Sequence, residues 1–133
     1  MKSILKKLQE DKHYYGAYGK KYLSNSNIGV LLTNPREFGK PSQESLPMVQ
    51  GRYFHVSMLE PHKKDEFEIV DASSRNTKIY KEQSGSRLLL LKKEAEALDK
   101  AIETMKDNES LSSEIFSENA QYEVPMIGEF FGV

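Results

Sequence analysis

The stretch from Leu88 to Lys106 constrains this chain more than any other. It contains neither Gly nor Pro and is filled with residues that favour helix. Leu91, Ala95, Leu98, Ala101, Ile102 and Met105 recur at helical spacing and trace one stripe, while the opposite face is charged. A helix patterned in this way needs other elements on which to bury its stripe. The spacing therefore predicts a helix over 88–106, closed by Asp107-Asn108, inside a packed domain.

Two further helices can supply the partner surfaces. Ser24-Asn25-Ser26-Asn27 is a start signal, because short polar side chains accept from the open amides of a first turn. Ile28, Leu31 and Leu32 then mark an apolar face, and Asn34-Pro35 ends it. Met48 to Glu60 reads as a helix stopped by Pro61, with Val49, Tyr53, Val56 and Leu59 at helical spacing and Phe54 and Met58 widening the face. Residues 1–12 suit a short amphipathic helix with Ile4, Leu5 and Leu8 on one side. Residues 13–19, rich in Tyr and Gly, show no period and read as loop, as do residues 39–47. Phe67–Val70 suits a short strand, Thr77–Gln83 a short helix before the Ser84-Gly85-Ser86 turn, and Ser110–Ser117 another. Tyr122–Ile127 and Phe130–Val133 look like two strands around Gly128-Glu129.

The expected fold class is thus α+β: one mainly helical domain over 1–133 with a small C-terminal antiparallel β element. Its core is expected from helices 24–34, 48–60 and 88–106. A basic, Tyr-rich segment (1–22) precedes the helical core (23–106), and an acidic β element (107–133) follows it. Hydrophobic residues make up 38% of the 133, below the usual value of about 45–50%, so the core should be small under a well-solvated surface.

Charge narrows the function classes. The formal net charge is −1, which gives no global reason for strong nucleic-acid binding. The distribution is uneven, however. Residues 1–40 hold eight Lys and Arg against three Asp and Glu, and residues 107–133 hold six acids and no base. There is no cysteine, which excludes disulfides and thiolate chemistry. No apolar run reaches the roughly 18 residues of a membrane span, and the N-terminus lacks a signal-peptide core. A cytoplasmic protein is expected.

Motifs for chemistry are sparse. There is no Gly-x-Ser-x-Gly elbow, Gly-rich phosphate loop or His-Glu-x-x-His zinc motif. His13, His55 and His62 are spaced for no shared metal site. His55 stands out because it lies within the helix over 48–60, where a lone His is more often a hydrogen-bonded core residue than a ligand. The front segment offers a different chemistry. Lys12, Tyr14, Tyr15, Tyr18, Lys20, Lys21 and Tyr22 interleave cations with aromatic rings, a pattern that can stack bases and neutralise phosphates. The competing reading packs these tyrosines on the helices and leaves the lysines as solvated charge.

Leu23-Ser24-Asn25-Ser26-Asn27-Ile28-Gly29, then Asn34-Pro35, then Gly51-Arg52-Tyr53-Phe54-His55 running into Met58-Leu59-Glu60-Pro61, resembles the opening of RecE-type phage exonucleases of the PD-(D/E)XK superfamily. Arg75-Asn76-Thr77, Tyr80-Lys81 and the helix after Leu88 sit where that family has similar elements, so the resemblance covers roughly residues 14–127. It implies a truncated nuclease-like fold, a metal-binding role for His55, and a strand carboxylate at Glu123. The family's metal-binding Asp, its Asp/Glu-x-Lys pair and its Gln-x-x-x-Tyr helix have no counterpart in these residues. Mg²⁺ needs a set of oxygen ligands, which His55 and Glu123 supply only if completed in trans.

The resemblance therefore implies a phage-derived, non-catalytic protein in a bacterial cytoplasm. It would act by binding a host protein or protein–nucleic acid complex, such as a defence nuclease of the CRISPR type, with no cofactor. The alternative is a fragment or subunit of a Mg-dependent exonuclease of double-stranded DNA. Self-association through the C-terminal strand is a further expectation.

Overall fold

The computed structural model describes residues 2–129. The chain divides into two compact units, one of Met1–Ser42 with Glu123–Val133 and one of Gln43–Tyr122.

In the first unit, α1 (Lys2–Leu8) places Ile4, Leu5 and Leu8 on one side, with Leu8 buried. It packs beside α2 (Asp11–Tyr14), which a 3-10 turn at Gly19–Lys21 follows. Residues 15–18 are bend and turn, as the composition of the segment suggests, while helical geometry enters it only at its two ends. α3 (Asn25–Thr33) begins on the expected signal: the Asn27 amide donates to Ser24 Oγ at 3.1 Å, and the Ser24 amide donates to Asn27 Oδ1 at 2.9 Å. This reciprocal cap satisfies two open donors of the first turn. The expectation that α3 builds the core is not met. None of its residues is buried, and Leu32 is 82% exposed.

The second unit holds the core. α4 (Leu46–Leu59) starts two residues before Met48, with Pro47 in its first turn, where a missing N–H costs nothing. Val49, Tyr53 and Ser57 recur every four residues and are buried together with Met58. After a 3-10 segment (Pro61–Glu66) come β1 (Ile69–Val70), α5 (Lys78–Ser84), β2 (Leu90–Leu91), α6 (Lys92–Asp107) and α7 (Glu109–Ile115). Thr77 caps α5 by accepting from the Tyr80 amide, and Asn108 caps α7 by accepting from the Leu111 amide.

β1 and β2 pair in parallel, Ile69 with Leu90 and Val70 with Leu91, with α5 in the connection between them. Parallel pairing requires such a crossover. The sheet therefore corrects the expected antiparallel C-terminal element: it is parallel and internal to the second unit. Tyr122–Ile127 forms no strand. Pro125 has no N–H for a ladder, and Glu123 takes a left-handed φ of 52°, which breaks extended geometry. Phe130–Val133 lies outside the described residues.

The run Leu88–Leu91 enters the core with period two instead of opening the long helix. Leu88 and Leu90 join a cluster with Val49, Tyr53, Ala95, Leu46, Phe67 and Leu98. Leu89 and Leu91 join Val70, Tyr80 and Ala72. Successive side chains of extended backbone point to opposite faces, so four leucines serve two clusters. The stripe read on α6 is otherwise borne out: Ala95 and Ile102 are buried, Leu98 and Met105 half-buried, and Ala101 alone is exposed. Full burial of a large apolar side chain contributes about 1.5–3 kcal/mol. Leu90 and Val70, each 1% exposed, are therefore main holders of this unit.

Candidate functional site

The basic, aromatic front segment forms a compact surface within the first unit. The turn between α2 and the 3-10 helix is tight, because a Cβ on Gly16 would collide with the Lys12 carbonyl and one on Gly19 with the Tyr14 carbonyl. Glycine is required at such close backbone approaches. The Lys20 amide donates to Gly16 O at 3.2 Å and the Tyr22 amide to Gly19 O at 3.0 Å, which fixes the turn.

This backbone sorts the tyrosines into two groups. Tyr18 and Tyr22 are half-buried and meet edge to face at 6.0 Å. Lys7 Nζ stands 4.2 Å from the centre of the Tyr18 ring and Lys21 Nζ 5.8 Å, within the range of cation–π attraction. The Tyr22 phenol is held above its ordinary value, first by its hydrogen bond with Tyr18 and then by burial. Tyr14 and Tyr15 meet edge to face at 5.0 Å and are 48% and 71% exposed. Lys12, Lys20 and Lys21 are exposed as well. The segment thus divides into two sets of residues. Tyr18 and Tyr22 brace the turn, while Tyr14, Tyr15 and the three lysines present rings and charge to solvent.

His55 and Glu123 belong to different units. His55 lies on the exposed side of α4, opposite the face that carries Tyr53, and belongs to the second unit. This corrects the expectation of a core histidine. Glu123 belongs to the first unit. Among the described residues no three His, Cys, Asp or Glu side chains gather as metal ligands, so no step through a metal is derived.

Sequence reasoning missed two polar networks of the second unit. In one, Arg75 grips Glu94 with its two terminal guanidinium nitrogens, at 2.8 and 2.6 Å, and donates to Leu89 O at 3.2 Å. Glu94 also accepts from the Leu91 amide at 2.9 Å, capping α6. Tyr80 Oη both donates to Leu89 O and accepts from the Leu89 amide. The Arg75 hydrogen bonds hold the Glu94 carboxyl below its ordinary range despite partial burial. In the other network, Asp99 accepts from Tyr53 Oη at 3.0 Å and from Lys64 Nζ at 2.8 Å. Burial, then the bond to Asp99, raises the Tyr53 phenol. A Glu at the third position of a helix whose start falls at Leu91 signals the first network, but only once β2 is separated from α6. Nothing local in the sequence signals the pairing of Asp99 with Tyr53.

Compared with protein-family models, with curated proteins and with solved structures, the chain finds no match in any of the three.

Proposed function

We propose that the chain is a non-catalytic, nuclease-like binding protein that occupies a nucleic-acid-processing complex of a bacterial host, such as a defence nuclease. Its contact surface is the patch of Lys12, Tyr14, Tyr15, Lys20 and Lys21. The observation that carries this reading is the paired exposure of Tyr14 and Tyr15 amid three exposed lysines. Exposed rings offer stacking faces to bases of any sequence, and the lysines neutralise neighbouring phosphates, so the patch suits single-stranded nucleic acid held in such a complex. The ordered motifs from Leu23 to Pro61 support the nuclease-like descent.

The test is fluorescence anisotropy with a labelled single-stranded oligonucleotide. Binding should weaken as salt rises. Tyr15→Ala should weaken it about tenfold, since one base–aromatic stack contributes about 1–3 kcal/mol. His55→Ala should leave binding unchanged. An unaltered affinity in Tyr15→Ala would remove the patch from the proposal. Incubation with linear double-stranded DNA and Mg²⁺ or Mn²⁺, with EDTA as control, should leave the DNA intact. Metal-dependent degradation would replace this reading with that of an exonuclease.

A further inference from the structure

The second unit also contains a cleft of about 820 Å³. It opens between the approach to α4 and the turn that links α5 to β2. Arg75, Lys81 and Arg87 line it against a single carboxylate, Glu44. Three of these four charges are already matched by side chains outside the lining. Arg75 is held by Glu94 at 2.6 Å, Arg87 by Glu68 at 2.6 Å, and Glu44 by Arg52 at 2.7 Å. Lys81 has no ion-pair partner among the described residues, so one cation of the cleft stands uncompensated. A further donor is unspent: the Ser86 amide, in the exposed turn after α5, makes no hydrogen bond among the described residues. Leu46 and Leu88, both half-buried, add apolar lining to the same cleft. An apolar wall with a few convergent polar groups, at this volume, is the usual make-up of a small-molecule site.

We propose that this cleft binds a phosphomonoester of mononucleotide size, its phosphate at Lys81 and Ser86 and its body against Leu46 and Leu88. A phosphomonoester carries up to two negative charges near neutral pH and three acceptor oxygens, which matches one uncompensated cation and an unspent amide donor in the same lining. The assignment is independent of the Tyr14–Tyr15 patch, because every lining residue belongs to the second unit.

Calorimetric titration of the full chain with AMP, adenosine and inorganic phosphate tests it. AMP should bind and adenosine should not. Inorganic phosphate should compete with AMP. Lys81→Ala should weaken AMP binding about tenfold, as expected for one charge-assisted hydrogen bond, and Lys81→Glu should abolish it. Lys81 is exposed, so both variants should keep the circular dichroism of the parent. Lys78→Ala, on the same helix but outside the cleft lining, should bind as the parent does, and so should Tyr15→Ala. Absence of AMP binding, adenosine binding as tightly as AMP, or unchanged affinity in Lys81→Ala would each overturn the proposal.

Discussion

Of the ten buried apolar side chains described, nine lie in the unit of residues 43–122, and only Leu8 lies in the other. The second unit is held by leucines on both faces of a strand, by the α4 and α6 stripes, and by two charged networks that tie separate elements together. The first unit relies on capping, tight glycine turns and ring-edge contacts, all between residues close in sequence. Local bonds of this kind contribute modestly, since folding exchanges them for bonds to water. The comparison separates two roles. The region with a core keeps its shape by burial, while the other braces its turn with Tyr18 and Tyr22 and leaves Tyr14 and Tyr15 exposed.

Substitutions can break this contrast. Leu90→Ala should cost about 2–5 kcal/mol in urea denaturation, because a fully buried leucine leaves a cavity in the first cluster. A loss comparable to that of an exposed residue would mean the second unit is not held by burial. Glu94→Gln should cost about 1–3 kcal/mol, since it leaves the Arg75 fork without its ionic partner.

The same residue sets an acid limb. Glu94 titrates below its ordinary value of 4.5 in the folded chain because Arg75 hydrogen-bonds to its charged form. The stabilisation is complete above 4.5 and is lost as pH falls through the lowered folded value. Thermal melts below pH 4.5 should therefore drop less steeply in Glu94→Gln than in the parent. Parallel curves would show that the pair carries no pH-dependent stability.

Gly19→Ala should cost about 1–3 kcal/mol within the first unit, where the new methyl meets the Tyr14 carbonyl. The measurement is faster exchange of the Tyr22 amide, with the amides of α6 unaffected. Leu32→Ala should change stability by less than about 0.5 kcal/mol, because the side chain is 82% exposed. A larger loss would reveal burial that the first unit does not show.

Where a cap or a proline decides a helix end within a few residues, that end was legible in the sequence. Ser24 with Asn27, Thr77 and the prolines at 35 and 61 act where the pattern places them, and α6 ends at Asp107 as expected, although Asn108 also caps α7, whose start the sequence pattern places at Ser110. Which face is buried was less legible. On α4 the buried row includes Ser57, a polar residue that hides the phase, and following Val56 and Leu59 instead turns His55 inward. α3 carries an apolar face in Ile28, Leu31 and Leu32, but no local signal shows whether another element covers it. Leu88–Leu91 reads as helix by continuity with α6, and only packing on two opposite sides makes it strand. The patch at Tyr14 and Tyr15 was legible as composition. Its division into bracing and presenting tyrosines was not, because that depends on how the glycine turns fold.

The parallel pairing of β1 with β2 also has a kinetic consequence. The two strands contribute two residues each and are separated by the whole of α5 and its flanking turns. So short a ladder cannot nucleate by itself, because closing the intervening chain costs entropy before any pairing offsets it. Docking of α5 is therefore expected to accompany or precede closure of the ladder. In native-state hydrogen exchange, the ladder amides and those of α5 should therefore open together as one cooperative unit. A lesion anywhere along the connection would be felt at both strands at once.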